Sequence, residues 1–319
     1  MIQIFYKSNG QMTVSCSKSD FSTITRESVL WIDLLSPTGD EKRAAESFLD
    51  CSLQARSKAE EIESSSRFIE TEKGIFVNTN FIIPGPDDYT MEAVSFVLIG
   101  NILTSIRESR LKSFTDLQRR VEAFPKQYAT GYSVLISLLE QRVDLDADMI
   151  ELMSKEIAQM SRKLNMGEER INEDMLLDIN QLQENTMVVR ENIVDKQRMV
   201  SSMLKTTKVP KSLTSRFNTL LKDIASLINH TNFNFERLEY LQDTVLGLVN
   251  LEQNKIMKVF TFVSLILMPP TLIASFYGMN VRLPAIASGD SFWNWVIIIA
   301  LMLFSGLLFY IVFKHKKLL

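Results

Sequence analysis

The residues best suited to chemistry lie on one face of a single segment near the C-terminal end. Steps of three and four from Asn254 reach Met257, Thr261, Ser264, Met268, Thr271 and Ser275, and the same steps backward reach Asn250, Gly247 and Asp243. On a helix this spacing gives one stripe of amide, hydroxyl, thioether and small groups in a wall of Leu, Ile, Phe and Val. Amide and hydroxyl oxygens accept hydrogen bonds from the water around a cation, whereas a ring of methionines leaves an ion unsolvated and gates by dewetting. No Asp or Glu occurs from Val259 through Val281. A stripped divalent ion would find no strong oxygen ligand there, but one that keeps most of its water shell can pass along neutral acceptors. The competing reading is that small residues let two membrane helices pack closely.

Two elements must position this stripe. Val259 to Asn280 and Phe292 to Phe313 are free of charge, and each is long enough for a hydrocarbon core of about 30 Å. Lys255 and Lys258 precede the first run, and Lys314, His315, Lys316 and Lys317 follow the second; the connection 281–291 holds only Arg282 and Asp290. The positive-inside rule puts both ends in the cytoplasm and this connection outside, with Tyr277, Trp293 and Trp295 near the outer boundary. Pro269-Pro270 in mid-span removes helical hydrogen bonds and either bends the helix or frees carbonyls. Two helices cannot enclose an ion path, so conduction requires an oligomer. Tyr277-Gly278-Met279-Asn280 closes the first run: Gly278 permits an unusual turn, Met279 can brace it, and Asn280 presents a neutral oxygen.

The rest of the chain reads as a water-exposed body. Of the net charge of −3 over 319 residues, the part from Val259 onward carries +3 and residues 1–258 carry −6. Strand-length runs at Met1 to Tyr6, Met12 to Cys16, Ile75 to Ile83, Val94 to Ile99 and Ile102 to Ile106 flank turn pairs such as Asn9-Gly10 and Gly100-Asn101. Helices are expected at Pro37 to Leu49, opened by Ser36 or Thr38 before Glu41, and at about Leu53 to Glu63. From residue 111 the pattern is helical: Lys112 to Glu122, Ala129 to about Asn165, Glu168 to Lys205, and Lys211 onward, with no proline between Pro210 and Pro269. A helix over that interval would be about 90 Å long and must pack against other long helices or copies of itself. The expected division is an α/β cytosolic domain at 1–110, long helices and stalk at 111–258, spans at 259–280 and 292–313 joined by an external loop at 281–291, and a basic tail at 314–319. Cys16 and Cys51 have no nearby histidine to complete a zinc set and suit a structural role in a reducing compartment. The N-terminus has no secretory pattern, which places the large part in the cytoplasm.

Gly278-Met279-Asn280 after a first span, a short loop, a second span and a basic tail resemble the CorA-type magnesium transporters. Met257-Lys258-Val259, Met268-Pro269-Pro270-Thr271, Trp31-Ile32-Asp33-Leu34 and Leu103-Thr104-Ser105-Ile106-Arg107 extend the resemblance over nearly the whole chain. It implies an α+β membrane protein forming a funnel-shaped homopentamer, with the long helix lining the pore and Asn280 at the outer entrance beside Gly278 and Met279. Carried over with it are Thr271, Met268, Met257 and Asn254, and Asp243 as an acidic ring lower in the stalk. The outer loop departs from the family's Met-Pro-Glu pattern: Pro284 is kept, no Glu is present, and Arg282 opposes Asp290, so cations are concentrated less at the mouth. The family also implies cytosolic Mg²⁺ sensing between subunits. Asp144, Asp146, Asp148, Glu168, Glu169, Asp174 and Asp178 supply acidic groups, but solvated helix faces are the better account of each, and none is assigned.

These readings point to passive Mg²⁺ influx across a bacterial inner membrane, with Co²⁺ or Ni²⁺ as poorer passengers. Zn²⁺ transport by a relative with the same motif, or a membrane-anchored helical scaffold that conducts nothing, are the alternatives. His230 and His315 are the only histidines, and no nucleotide-binding glycine loop or catalytic triad pattern is present, which argues against an enzyme. No cofactor is expected beyond Mg²⁺ as the transported and regulatory ion, and the partners are copies of the chain and the lipid bilayer, not nucleic acid.

Overall fold

The computed structural model describes residues 1–8, 10–53, 67–85, 88–166, 173–279 and 292–315, which fall into two compact units, Met1–Gln242 and Asp243–Leu319. The first unit is built on one sheet. Its strands β1 (Ile2–Ser8), β2 (Gln11–Ser15), β3 (Val29–Leu35), β4 (Phe68–Glu70), β5 (Gly74–Pro84), β6 (Tyr89–Ile99) and β7 (Ile102–Arg107) lie in the order β2-β1-β3-β7-β6-β5-β4. β3 runs parallel to β7, and the other neighbours are antiparallel. At the β6–β7 turn Gly100 has φ +58°, a left-handed conformation that costs glycine little. β3 and β4 were not among the expected strands. β3 is buried along almost its whole length and therefore lacks the alternation that marks a half-exposed strand.

Side chains alternate across the sheet, so each face has its own core. On one face Ile2, Ile4, Ile32 and Leu34 pack with Ala45 and Leu49 of α1 (Gly39–Leu49). Thr38 caps α1 as expected: its hydroxyl accepts from the Glu41 amide at 3.3 Å, and the Glu41 carboxylate accepts from the Thr38 amide at 2.9 Å. On the other face Phe5, Trp31, Phe81 and Phe96 meet α2 (Lys112–Ala123), α3 (Gly131–Met166), α4 (Glu173–Lys205) and the first turns of α5 (Thr214–Tyr277) in a continuous core. Sheet and long helices thus share an interior and form one unit. Of the helix expected at about Leu53 to Glu63, only Leu53 lies within the described residues.

Two buried polar networks fix this packing. In the first, the Arg107 guanidinium donates to Asp33 at 2.8 Å, while Ser105 and Gln118 donate to the same carboxylate at 2.7 and 2.9 Å. Trp31 Nε1 donates to Ser105 at 2.9 Å, and Arg107 lies 4.4 Å over the Phe114 ring. The parallel register of β3 and β7, with Asp33 opposite Ser105, creates the cluster. In the second, Asp146 of α3 accepts from Arg142 at 2.9 Å and from Asn192 of α4 at 3.2 Å, and Lys196 Nζ stands 3.6 Å from it. Lys196 also donates to the Asn80 carbonyl at 2.9 Å, and Arg142 to the Ile82 carbonyl at 3.0 Å, tying both helices to β5.

Lys196 is fully buried. Burial foremost, helped by Arg142 and opposed by Asp146 and Asp195, lowers its pKa from 10.5 to about 8. Between these values the unfolded chain binds a proton that the folded chain has released. Folding stability attributable to this lysine therefore rises with pH through the window and is lost as pH falls through the folded pKa, by at most about 3 kcal/mol. Lys196→Met should flatten that slope, as measured by denaturant unfolding of the full-length protein between pH 7.5 and 10.5; equal slopes in both proteins would contradict it.

The second unit contains the remainder of α5, which runs through Pro269 and Pro270, and α6 (Phe292–His315). The 24 residues of α6 extend about 36 Å, enough to cross a hydrocarbon core. Both helices expose most of their large apolar side chains, as a lipid-facing surface would.

Candidate ion-conduction site

The stripe is continuous on α5. Asp243, Gly247, Asn250, Asn254, Met257, Thr261, Ser264, Met268, Thr271 and Ser275 are all exposed, and at 1.5 Å per residue they cover about 48 Å of helix. The methionines are among the most open, Met257 at 62% and Met268 at 64%. Within the span the half-buried positions are different ones: Phe262, Leu265, Ile266, Pro269, Pro270, Ile273 and Tyr277. At 100° per residue their mean direction is about 150° from that of the stripe. The covered side meets α6, where an added Cβ on buried Gly306 would lie 3.8 Å from both Pro270 Cγ and the Ile266 carbonyl oxygen. Close packing of the two spans within one chain is therefore served by Pro270, Ile266 and Gly306, and the polar stripe is left facing away.

This arrangement gives Pro270 a defined setting. Pro270 has no N–H for the Ile266 carbonyl, and in lipid an unsatisfied carbonyl is costly. At Gly306 α6 lies against that oxygen, and even an added Cβ would stand at ordinary contact distance from it. Sequence reading missed Gly306; its signal was a lone glycine inside a strongly apolar helix. The 3.8 Å clearance is ordinary contact, so Gly306→Ala should be tolerated, whereas Gly306→Leu should lower stability by about 1–3 kcal/mol through overpacking. Thermal unfolding of the detergent-solubilised protein measures both.

Thr271 has a defined polarity. Its hydroxyl donates to the Leu267 carbonyl at 2.7 Å, so the oxygen turns lone pairs, not a proton, to the exposed side. Such an oxygen suits a water molecule whose hydrogens point away from a cation. At the end of α5 the Gly278 amide donates to Ala274 O at 2.9 Å, and a side chain at Gly278 would meet that carbonyl oxygen at 3.1 Å. The Gly278 backbone is not left-handed, and the close carbonyl leaves little room there for a side chain. Met279 is 54% exposed, and Asn280 with the loop to 291 lies outside the described residues.

A family model described as CorA-like Mg²⁺ transporter protein matches residues 26–315. The chain belongs to this family. The magnesium transport protein CorA of Wolinella succinogenes is 33% identical over 322 residues, 99% of each chain, and that of Campylobacter jejuni is 31% identical over 327 residues, again 99% of each. Among solved structures, the complete CorA magnesium transporter of Methanocaldococcus jannaschii superposes with a TM-score of 0.80 at 18% identity, covering 98% of this chain and 97% of the other. The CorA-like fold, a β-rich N-terminal part followed by long helices and membrane spans, is thereby shared, and membership of a transporter family excludes an enzyme.

Two segments that carried the resemblance have an interior role in this CorA-like fold. Trp31 to Leu34 and Leu103 to Arg107 are the paired strands holding the Asp33–Arg107 network. Among the acidic groups considered for ion sensing, Asp146 is engaged by Arg142 and Asn192 in the interior. Exposed Asp144 has its pKa raised, by partial burial first and then by Glu140 and Asp148. Glu168 and Glu169 lie outside the described residues, and among those described no three His, Cys, Asp or Glu side chains converge to hold a metal.

Proposed function

We propose that this chain is the subunit of a homopentameric, funnel-shaped channel for passive Mg²⁺ influx across a bacterial inner membrane, with both termini cytoplasmic. The observation that carries the reading is the exposed polar stripe of α5 on the side away from α6; family membership and the magnesium-transport names of full-length relatives support it. Copies arranged about an axis would turn Asp243, Asn254, Met257, Thr261, Ser264, Met268, Thr271 and Ser275 inward, with Asn280, Gly278 and Met279 at the outer entrance.

Mg²⁺ gives up its water reluctantly. The wall suits that reluctance: it offers oxygens such as that of Thr271 to hydration water and no carboxylate between Val259 and Val281 to trap the ion. The Met257 and Met268 rings would close the path by dewetting when narrow. No Asp, Glu, His, Lys or Arg lies in that segment to shuttle a proton, so the membrane potential is the driving force. It supplies about 4.6 kcal/mol per 100 mV for a divalent ion. In proteoliposomes an inside-negative potential should drive Mg²⁺ entry, with Co²⁺ or Ni²⁺ slower. Zn²⁺ entry that follows a pH gradient, with little Mg²⁺ flux, would replace this reading with a zinc transporter, and absence of flux in intact oligomers would leave a scaffold.

A further inference from the structure

We infer that a pocket in the first unit, beside α4, binds a phosphate-bearing anion of nucleotide size. The pocket has a volume of about 320 Å³, within the range of small-molecule sites. Its wall is the last part of α4, where Asp195, Arg198, Ser202 and Lys205 recur at helical spacing on one side, opposite Arg67 and Phe68. Three cations stand against one carboxylate, a local charge of +2 in a chain whose net charge is −3.

The cations differ in their engagement. Arg67 pairs with buried Asp195, which also accepts from the Thr79 hydroxyl at 2.8 Å and the Asn80 amide at 3.0 Å. Asp195 is thus held back in the wall and does not reach across to neutralise the pocket. Arg198 and Lys205 are exposed, and neither has an ion-pair or hydrogen-bond partner among the described residues. A planar guanidinium fork, an ammonium and the hydroxyls of Ser201 and Ser202 offer more donors than a single carboxylate ligand can accept, and they match the several oxygens of a phosphate chain. The half-buried ring of Phe68 gives an apolar surface for the remainder of the ligand. None of these residues belongs to the ion path.

The test is calorimetric titration of full-length protein in detergent with ADP and, separately, with pyrophosphate, both without added metal. The expected result is saturable micromolar ADP binding that is several-fold tighter than pyrophosphate binding and weakens at higher salt. The double variant R198E/K205E should bind ADP at least about tenfold more weakly, a loss of about 1.4 kcal/mol or more. Lys222→Glu, a single charge reversal at an exposed site elsewhere, should leave affinity unchanged, and unchanged thermal unfolding of the double variant would show that its fold is intact. Absence of saturable ADP binding by the unaltered protein, equal loss in Lys222→Glu, or pyrophosphate binding with ADP excluded would each overturn the inference.

Discussion

Replacing Asn280 with alanine should lower Mg²⁺ influx by at least about tenfold while leaving the oligomer intact. The amide oxygen is a neutral acceptor for hydration water at the proposed entrance, and each such hydrogen bond contributes a net of about 1 kcal/mol. The proposed symmetric ring would lose all its copies together, so even partial use of them in the entry barrier exceeds the 1.4 kcal/mol that corresponds to tenfold. Asn280→Asp separates recognition from release: the oxygen remains, and the added charge should hold the ion longer, raising apparent affinity while reducing maximal flux. Flux in proteoliposomes, with light scattering to verify the assembly, measures both variants. A scaffold that conducts nothing predicts no transport for either variant to alter.

Arg107→Ala should destabilise the first unit by about 3–5 kcal/mol, the loss expected when one member of a buried ion pair is removed. Asp33 is 1% exposed and would keep Ser105 and Gln118 as donors but lose its only cation within hydrogen-bonding distance among the described residues. The Phe114 ring would lose the guanidinium above it as well. Replacing both members, as in Asp33→Leu with Arg107→Met, should cost less than Arg107→Ala alone, because no charge is left stranded. Denaturant unfolding of the full-length protein gives the comparison; additive losses would mean that the two side chains act independently.

The membrane spans were legible because a hydrocarbon slab imposes a length and a polarity that a linear sequence can display directly. Helices after residue 111 were legible for a similar reason: α2 to α5 carry long runs with one period and few breaks. β3 was not, since burial on both faces removes the polar half of its alternation. The partners of Asp33, Asp146 and Lys196 come from segments far apart in sequence, and only the fold decides who meets whom. Asp146 shows the consequence, reading as one of several surface carboxylates in sequence and standing fully buried in the structure. The stripe from Asp243 to Ser275 needed only helical spacing to be seen, but its direction relative to Pro270 and Gly306 could not be obtained without the second helix.

Cysteine scanning of α5, in a background with Cys16 and Cys51 changed to serine, tests most directly whether the stripe lines the ion path. Single cysteines at Thr261, Ser264, Met268, Thr271 and Ser275 should react with a water-soluble cationic thiol reagent and lose Mg²⁺ flux on modification, while cysteines at Ile266 and Ile273 should remain unreactive. Reactivity and block concentrated at Ile266 and Ile273, or without helical period along the span, would contradict the account.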